Sequence, residues 1–142
     1  MSRVRIYLPL SGTDLDRLAA GKPLTLATGH AVTVRLASAT PGADVEELEY
    51  AAFLDAAAAA GRMRGRAQTA RRVIAAADVA PDAVTEPALP QGRTPAEVSL
   101  SAPIPVRAIV SFHVDEHEGG SDDADLLWFD ASELVSVRAL MF

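Results

Sequence analysis

The chain has 142 residues, in which 19 acidic residues outnumber 13 basic ones and give a formal net charge of −6. This excess of negative charge disfavours general binding to nucleic acid, which depends on neutralising many phosphates. Cysteine is absent, which excludes disulfides, thiolate zinc sites and cysteine nucleophiles.

The length suits a single domain over residues 1–142, large enough to bury a core. The first ten residues, MSRVRIYLPL, lack the long apolar segment of a signal peptide. No apolar run approaches the roughly 20 residues that a membrane helix needs. We therefore expect a soluble cytoplasmic protein that does not enter membranes.

The first elements are a strand and a short helix. In RVRIYLPL, apolar residues from Val4 to Leu8 alternate with two arginines and a tyrosine, which predicts a half-buried strand. Next, SGTDLDRLAAGKP predicts a helix that Thr13 caps, with Asp16 completing a capping box. Gly21 is expected to end this helix.

The next segment, LTLATGHAVTVRLA, is ambiguous, although Val32, Val34 and Leu36 alternate with polar residues and so favour a strand. After the turn ATPG, high alanine content predicts a long helix from about Asp44 to Met63. Its buried stripe is expected to contain Val45, Leu48, Ala52, Phe53 and Ala56.

The second half of the chain is richer in strands. RRVIAAADV shows little alternation, which is typical of a central strand. The segment APDAVTEPALPQGRTP predicts an exposed loop, and AEVSLSA predicts a strand. In SFHVDE, Phe112 and Val114 alternate with His113 and Asp115, which predicts a strand with one apolar and one polar face.

The C-terminal segment contains a last strand and a last helix. LLWF predicts a strand with Trp128 as a core anchor. Asp130 and Glu133 have the spacing of a capping box for the helix ASELVSVRAL. Together the elements predict an α+β fold, in which about three helices pack mainly on one face of a largely antiparallel or mixed sheet of five to six strands.

The stretch SFHVDEHEGGSDDADLLWFD contains the strongest hint of a metal site. His113 and Asp115 share one face of the predicted strand, whereas His113 and His117 lie about 13 Å apart if the strand continues. The acidic loop 115–125 does not match a calcium-binding EF-hand loop. The alternatives are a divalent metal site that uses His113, Asp115 and His117, or a polar sheet face beside a solvated loop.

A second candidate site is the arginine-rich stretch RMRGRAQTARR. Its arginines could bind an anion or a nucleotide, or they could lie at a solvated helix end where cations suit the dipole. The residues are Arg62, Arg64, Arg66, Arg71 and Arg72. The lone His30 could be a general base, but a hydrogen-bonded strand or loop histidine is the simpler interpretation.

Several segments in chain order resemble a small actinobacterial protein family of unknown function. They are RVRIYLPL, GHAVTVRL, EELEYAAFLDAA, RRVIAAADV, FHVDE and LLWFD, and the resemblance covers most of the chain. In that family a proline often follows the residue equivalent to Thr33, which implies a helix start. Here Val34 follows Thr33, so both a strand and a helix stay open for residues 32–38.

The leading functional hypothesis is a non-enzymatic binding or regulatory module, for which we predict no cofactor and expect a protein partner or a homodimer. The second hypothesis is a metal-dependent hydrolase with His113 and Asp115 as ligands and Glu116 or His117 as acid–base groups. The third is an anion or nucleotide binder that uses the arginines of residues 62–72.

Overall fold

The computed structural model of the chain describes residues 2–64, 71–86, 94–118 and 125–141. In these residues the strands are β1 (Val4–Pro9), β2 (Thr28–His30), β3 (Val73–Val79), β4 (Val84–Thr85), β5 (Glu97–Leu100), β6 (Ile109–Asp115) and β7 (Leu126–Asp130). The α-helices are α1 (Gly12–Ala19), α2 (Val34–Ala39), α3 (Val45–Arg64) and α4 (Leu134–Met141). No helix of the described ranges is both long and apolar enough to cross a membrane.

All strands of the described residues belong to one antiparallel sheet of seven strands, in the order β4-β5-β2-β1-β3-β6-β7. The α+β class is therefore confirmed, but the predicted numbers of five to six strands and three helices are too low. The two-residue strand β4 lies in the segment predicted as a loop, and it is too short to show alternation. The ambiguous segment contributes both β2 and the additional helix α2.

The assignment of residues 32–38 to a strand is wrong, because α2 occupies most of this range. The side chain of Thr33 accepts a hydrogen bond from the backbone N–H of Leu36 at 2.9 Å, as an N-cap residue does. Val32 and Val34 are exposed, and only Leu36 of the alternating set is buried. The helix therefore begins at the threonine, even though no proline follows it.

Helices pack on both faces of the sheet, not mainly on one as predicted. On the first face, α1 and α4 cover a core of large side chains, which include Ile6, Leu8, Leu15, Phe112 and Val137. On the second face, α2 and α3 cover a core in which alanine predominates. β1 is consequently buried on both sides, and Tyr7 is as much a core residue as its neighbours.

The helix ends agree only in part with the predicted caps. Ser11 and Asp14 form the capping box of α1, in place of Thr13 and Asp16, because the N-cap lies two residues earlier than predicted. The box of Asp130 and Glu133 is confirmed. It starts a short 3-10 turn that leads directly into α4.

The long helix α3 lies along the second face over β1, β2 and β3. Leu48, Ala52, Ala56 and Ala60 are buried at every fourth position, so they form one stripe of the helix. Val45 is exposed in the first turn, and its predicted burial is wrong. Small alanines on the helix and at Ala76 of β3 let the two backbones approach closely, which makes α3 a narrow cover.

Candidate binding groove

A groove of about 500 Å³ lies beside α3 on the second face of the sheet. Its floor consists of residues from β1, β3, β6 and β7, and one wall is the N-terminal half of α3. The groove exists because α3 covers the middle of the sheet and leaves the second face of β6 and β7 uncovered.

Strand alternation and register bring the floor residues together. Tyr7 of β1 pairs with Ala76 of β3, and Ala76 pairs with Ser111 of β6. His113 of β6 pairs with Trp128 of β7. Because directly opposite residues in a sheet point to the same face, these side chains form one continuous surface.

Aromatic rings form much of this surface. The ring of Phe53 packs edge-on against Tyr7, with centroids 5.7 Å apart, and against His113 at 4.9 Å. The ring of Tyr50 is stacked near Phe53 at 6.3 Å. Trp128 is 62% exposed, so its predicted role as a core anchor is wrong. It stands on the edge strand β7 with its side chain over the open part of the sheet.

Carboxylates outnumber free cations in the groove. Glu46, Glu49 and Asp125 line it. Arg5 also lines it, but its Nε lies 2.6 Å from Oδ1 of Asp78 and its Nη2 lies 3.1 Å from Oδ2. This bidentate hydrogen bond raises the pKa of Arg5, and it pairs the arginine charge with the Asp78 carboxylate. The remaining charge of the groove is therefore negative.

The two titratable rings of the floor are held in their neutral forms. Burial, and then the charge of Arg5, lower the pKa of His113. Burial, and then the nearby Glu49, raise the pKa of Tyr7. The hydroxyl of Ser111 and Nε2 of His113 share a hydrogen bond of 3.0 Å. At neutral pH the floor therefore presents an uncharged imidazole and a protonated phenol.

The three residues of the predicted metal site point to different surroundings. His113 faces the groove. Asp115 is 1% exposed and receives hydrogen bonds from Arg72: the backbone N–H lies 2.7 Å from Oδ2, and Nη2 lies 2.8 Å from Oδ1. His117 is solvent-exposed, with its Nε2 atom 3.9 Å from the neighbouring Glu116 carboxylate.

This arrangement does not favour the metal hypothesis. The Asp115 carboxylate is already bound by a buried guanidinium, which also occupies the oxygen atoms that a metal would need. Within the described ranges, no three His, Asp or Glu side chains form a group that could hold a metal ion. The metal-dependent hydrolase stays a prediction without a geometric basis in these residues.

The described arginines of the arginine-rich stretch do not lie together on one surface. Arg72 is buried with Asp115, and Nη1 of Arg71 donates to the carbonyl of Asp115 at 3.1 Å. Arg62 lies on α3 beside a different pocket. Arg66 and the side chain of Arg64 lie outside the described part of the structure. Anion binding by the whole set stays a prediction.

Comparison with known proteins gives one match, which spans the chain from β1 into α4. The model of a family of unknown function (DUF6912) matches residues 4–137. The chain belongs to this family. The resemblance to a family of unknown function that the sequence indicated is therefore confirmed. No curated protein and no solved structure matches the chain.

The groove was missed from the sequence for a physical reason. Its residues come from distant segments, such as Arg5, Glu49, His113 and Trp128, and only the strand order makes them neighbours. The sequence contained one local indication of the groove. The polar side of RVRIYLPL carries an arginine and a tyrosine, and this strand lies in the interior of the sheet. A charged residue on a central strand requires a partner, and here Asp78 supplies it.

Proposed function

We propose that this protein is a binding module whose groove accepts an arginine side chain of an extended peptide segment in a protein partner. The observation that carries this proposal is the juxtaposition, in one groove, of exposed aromatic rings and of carboxylates that form no salt bridge with another described residue. Trp128 and Tyr50 offer open ring faces, and Glu46 and Glu49 lie beside them.

The chemistry of the groove favours a planar cation. A guanidinium is attracted to the face of an aromatic ring, and tryptophan is the most favourable ring for this interaction. Arginine also forms planar, bidentate hydrogen bonds to carboxylates such as that of Glu49. Among the described residues that line the groove, the arginine Arg5 is already paired with Asp78, and the neutral His113 adds no positive charge that would repel the ligand.

The edge strand supports an extended ligand. β7 pairs with β6 on one side, and no strand of the described residues pairs with its other side. An extended peptide could therefore add to β7 through backbone hydrogen bonds, which is a common mode of peptide recognition. Its side chains would alternate, and those on the second face of the sheet would lie over Trp128 and the groove.

Tryptophan fluorescence tests this proposal directly, because Trp128 is the single tryptophan of the chain. The ligand is a blocked peptide of alternating valine and threonine with one central arginine. We expect saturable change in emission with this peptide and none with a matched peptide in which glutamate replaces arginine. A concentration-dependent change without peptide would instead identify a second copy of the chain as the occupant.

Two charge-neutralising variants sharpen the test. Glu49→Gln removes a carboxylate from the groove, and we expect about fivefold weaker binding, since a partly exposed ion pair contributes up to about 1 kcal/mol. Glu47→Gln is the matched control, because Glu47 is on the same helix but does not line the groove. Equal affinities of the two variants would contradict the proposed site.

A further inference from the structure

A second pocket, of about 620 Å³, lies on the other flank of α3. It is formed by β2, β5 and the C-terminal half of α3, and it shares no lining residue with the groove. The residues that matter for its chemistry are Thr28, His30, Arg62 and Glu97. The binding module proposed above does not use any of them.

One residue that lines this pocket, His30, is held by a carboxylate. Nδ1 of His30 lies 2.7 Å from Oδ2 of Asp55, and His30 is 4% exposed. The hydroxyl of Thr94 donates to the same carboxylate oxygen. β2 places His30 opposite Tyr7 on the second face of the sheet, where the middle of α3 passes with Asp55. The prediction of a hydrogen-bonded strand histidine is therefore confirmed, although its partner was not predicted.

The hydrogen bond to Asp55 places a proton on Nδ1 of His30. Burial alone would raise the pKa of Asp55, but hydrogen bonds from His30 and Thr94, together with the charges of His30 and Arg62, lower it. The ionised carboxylate can only accept hydrogen bonds, so the proton is on Nδ1. No described residue forms a hydrogen bond with the second ring nitrogen, Nε2.

Among the described charged residues around His30, Arg62 is a cation without a hydrogen-bonded partner. Asp55 is bonded to His30 and Thr94, and Glu97 of β5, directly opposite His30 in the sheet, has a partner of its own. Arg62 is exposed at the pocket and forms no hydrogen bond or ion pair with another described residue. Its guanidinium and the hydroxyl of Thr28 are donors of the kind that bind an oxyanion.

We propose that His30 and Asp55 form a general-base site for a small substrate whose oxyanion group is held by Arg62. Nε2 takes a proton from a substrate O–H or from a water molecule, and the electron pair of the broken bond stays on that oxygen. Asp55 orients the ring and stabilises the imidazolium that forms, as carboxylates do in histidine–carboxylate pairs. The proton leaves Nε2 again when the product is protonated.

The test is site-specific acylation by diethyl pyrocarbonate, which reacts with neutral imidazole nitrogen, followed by peptide mass spectrometry. The chain supplies its own reference, because the His117 side chain is 81% exposed. We expect His30 in the folded chain to react at least as fast as His117, despite its burial. Asp55→Asn should slow the acylation of His30, because the amide no longer holds the ring with its proton on Nδ1.

Inorganic phosphate is the probe for the oxyanion. It should slow the acylation of His30 and leave His117 unaffected. Arg62→Gln should abolish this protection, whereas Arg107→Gln, an exposed arginine beside a pocket that does not contain His30, should keep it. Both Arg62 and Arg107 are exposed, so the comparison of Arg62→Gln with Arg107→Gln can be made even if Asp55→Asn does not fold. The proposal would be overturned if His30 were acylated more than tenfold more slowly than His117, or if phosphate had no effect on the acylation of His30.

Discussion

The first face of the sheet is closed by α1 and α4 over large aliphatic side chains, whereas α3 covers the second face with alanines and leaves β6 and β7 open. Every large side chain at the centre of the first face, such as Ile6, Leu8 and Phe112, is almost fully buried. On the second face, the groove with the exposed aromatic residues and His113 lies on one side of α3, and the pocket with His30 lies on the other.

This difference separates stability from recognition. Buried aliphatic area supplies most of the free energy of folding, and the first face contains most of that area. A narrow alanine-rich helix contributes less buried area, but it fits close to the sheet and leaves surface free on either flank. Substitutions on the two faces should therefore have different consequences.

The largest effect is expected from Phe112→Ala on the first face. Phe112 is among the largest fully buried side chains of the described residues, and its truncation leaves a cavity under α4. Removal of a buried phenylalanine side chain costs about 3–5 kcal/mol. Urea denaturation monitored by circular dichroism measures this loss. A cost below about 1 kcal/mol would mean that the first face is not the stabilising core.

A loss of about 3 kcal/mol is expected from Asp115→Asn, because it removes the carboxylate charge that pairs with the buried guanidinium of Arg72. Asn keeps the shape of the side chain and can still accept the hydrogen bond from the Arg72 backbone, so the loss should be smaller than for alanine. The same denaturation experiment measures it. If the variant were as stable as the wild type, and if the wild type bound Zn²⁺, Asp115 would again be a candidate metal ligand.

A pH-dependent effect is expected at His113. Its pKa in the folded chain is lowered from the ordinary value of 6.5 by burial and by Arg5, so below pH 6.5 the unfolded chain binds a proton that the folded chain does not. The contribution of His113 to stability is complete above this pH and is lost as the pH falls through the folded pKa.

The check for His113 is a pair of denaturation curves, at about pH 7.5 and about pH 5.5, for the wild type and for His113→Gln. We expect the variant to lose less stability between the two pH values than the wild type does. An equal loss in both proteins would show that the imidazole is as easily protonated in the groove as in the unfolded chain.

The smallest effect on stability is expected from Trp128→Ala, in spite of the size of the side chain. Substitutions of exposed side chains usually change the free energy of unfolding by less than about 0.5 kcal/mol. Binding of the arginine peptide, measured for this variant by isothermal titration calorimetry, should nevertheless be lost. A destabilisation like that of Phe112→Ala would mean that Trp128 is a core residue after all.

Elements with a strong local pattern were predictable from the sequence. The alternation in SFHVD correctly placed Phe112 and Val114 on the apolar face of β6, and the alanine-rich run correctly predicted α3. The prediction of a strand for residues 32–38 failed because an alternating pattern of valines can also arise by chance in exposed positions. The N-cap role of Thr33 then determined the structure.

Pairs between distant segments were not predictable. The sequence placed Asp115 and His113 on one face of a strand, which is correct, but nothing local indicates that β3 pairs with β6 and brings Arg72 to Asp115. For the same reason Asp55 could not be assigned to His30. Both the groove and the second pocket depend on strand order, which a single sequence does not encode in any short motif.

If the groove of the second face recognises a positive charge, a calorimetric comparison of two peptides should show it. The affinity of the wild-type chain is measured for the arginine peptide and for the same peptide with citrulline, which keeps the shape of arginine and lacks its charge. The account predicts at least about tenfold weaker binding of citrulline, or about 1.4 kcal/mol. Equal affinities, or no binding of either peptide, would contradict it.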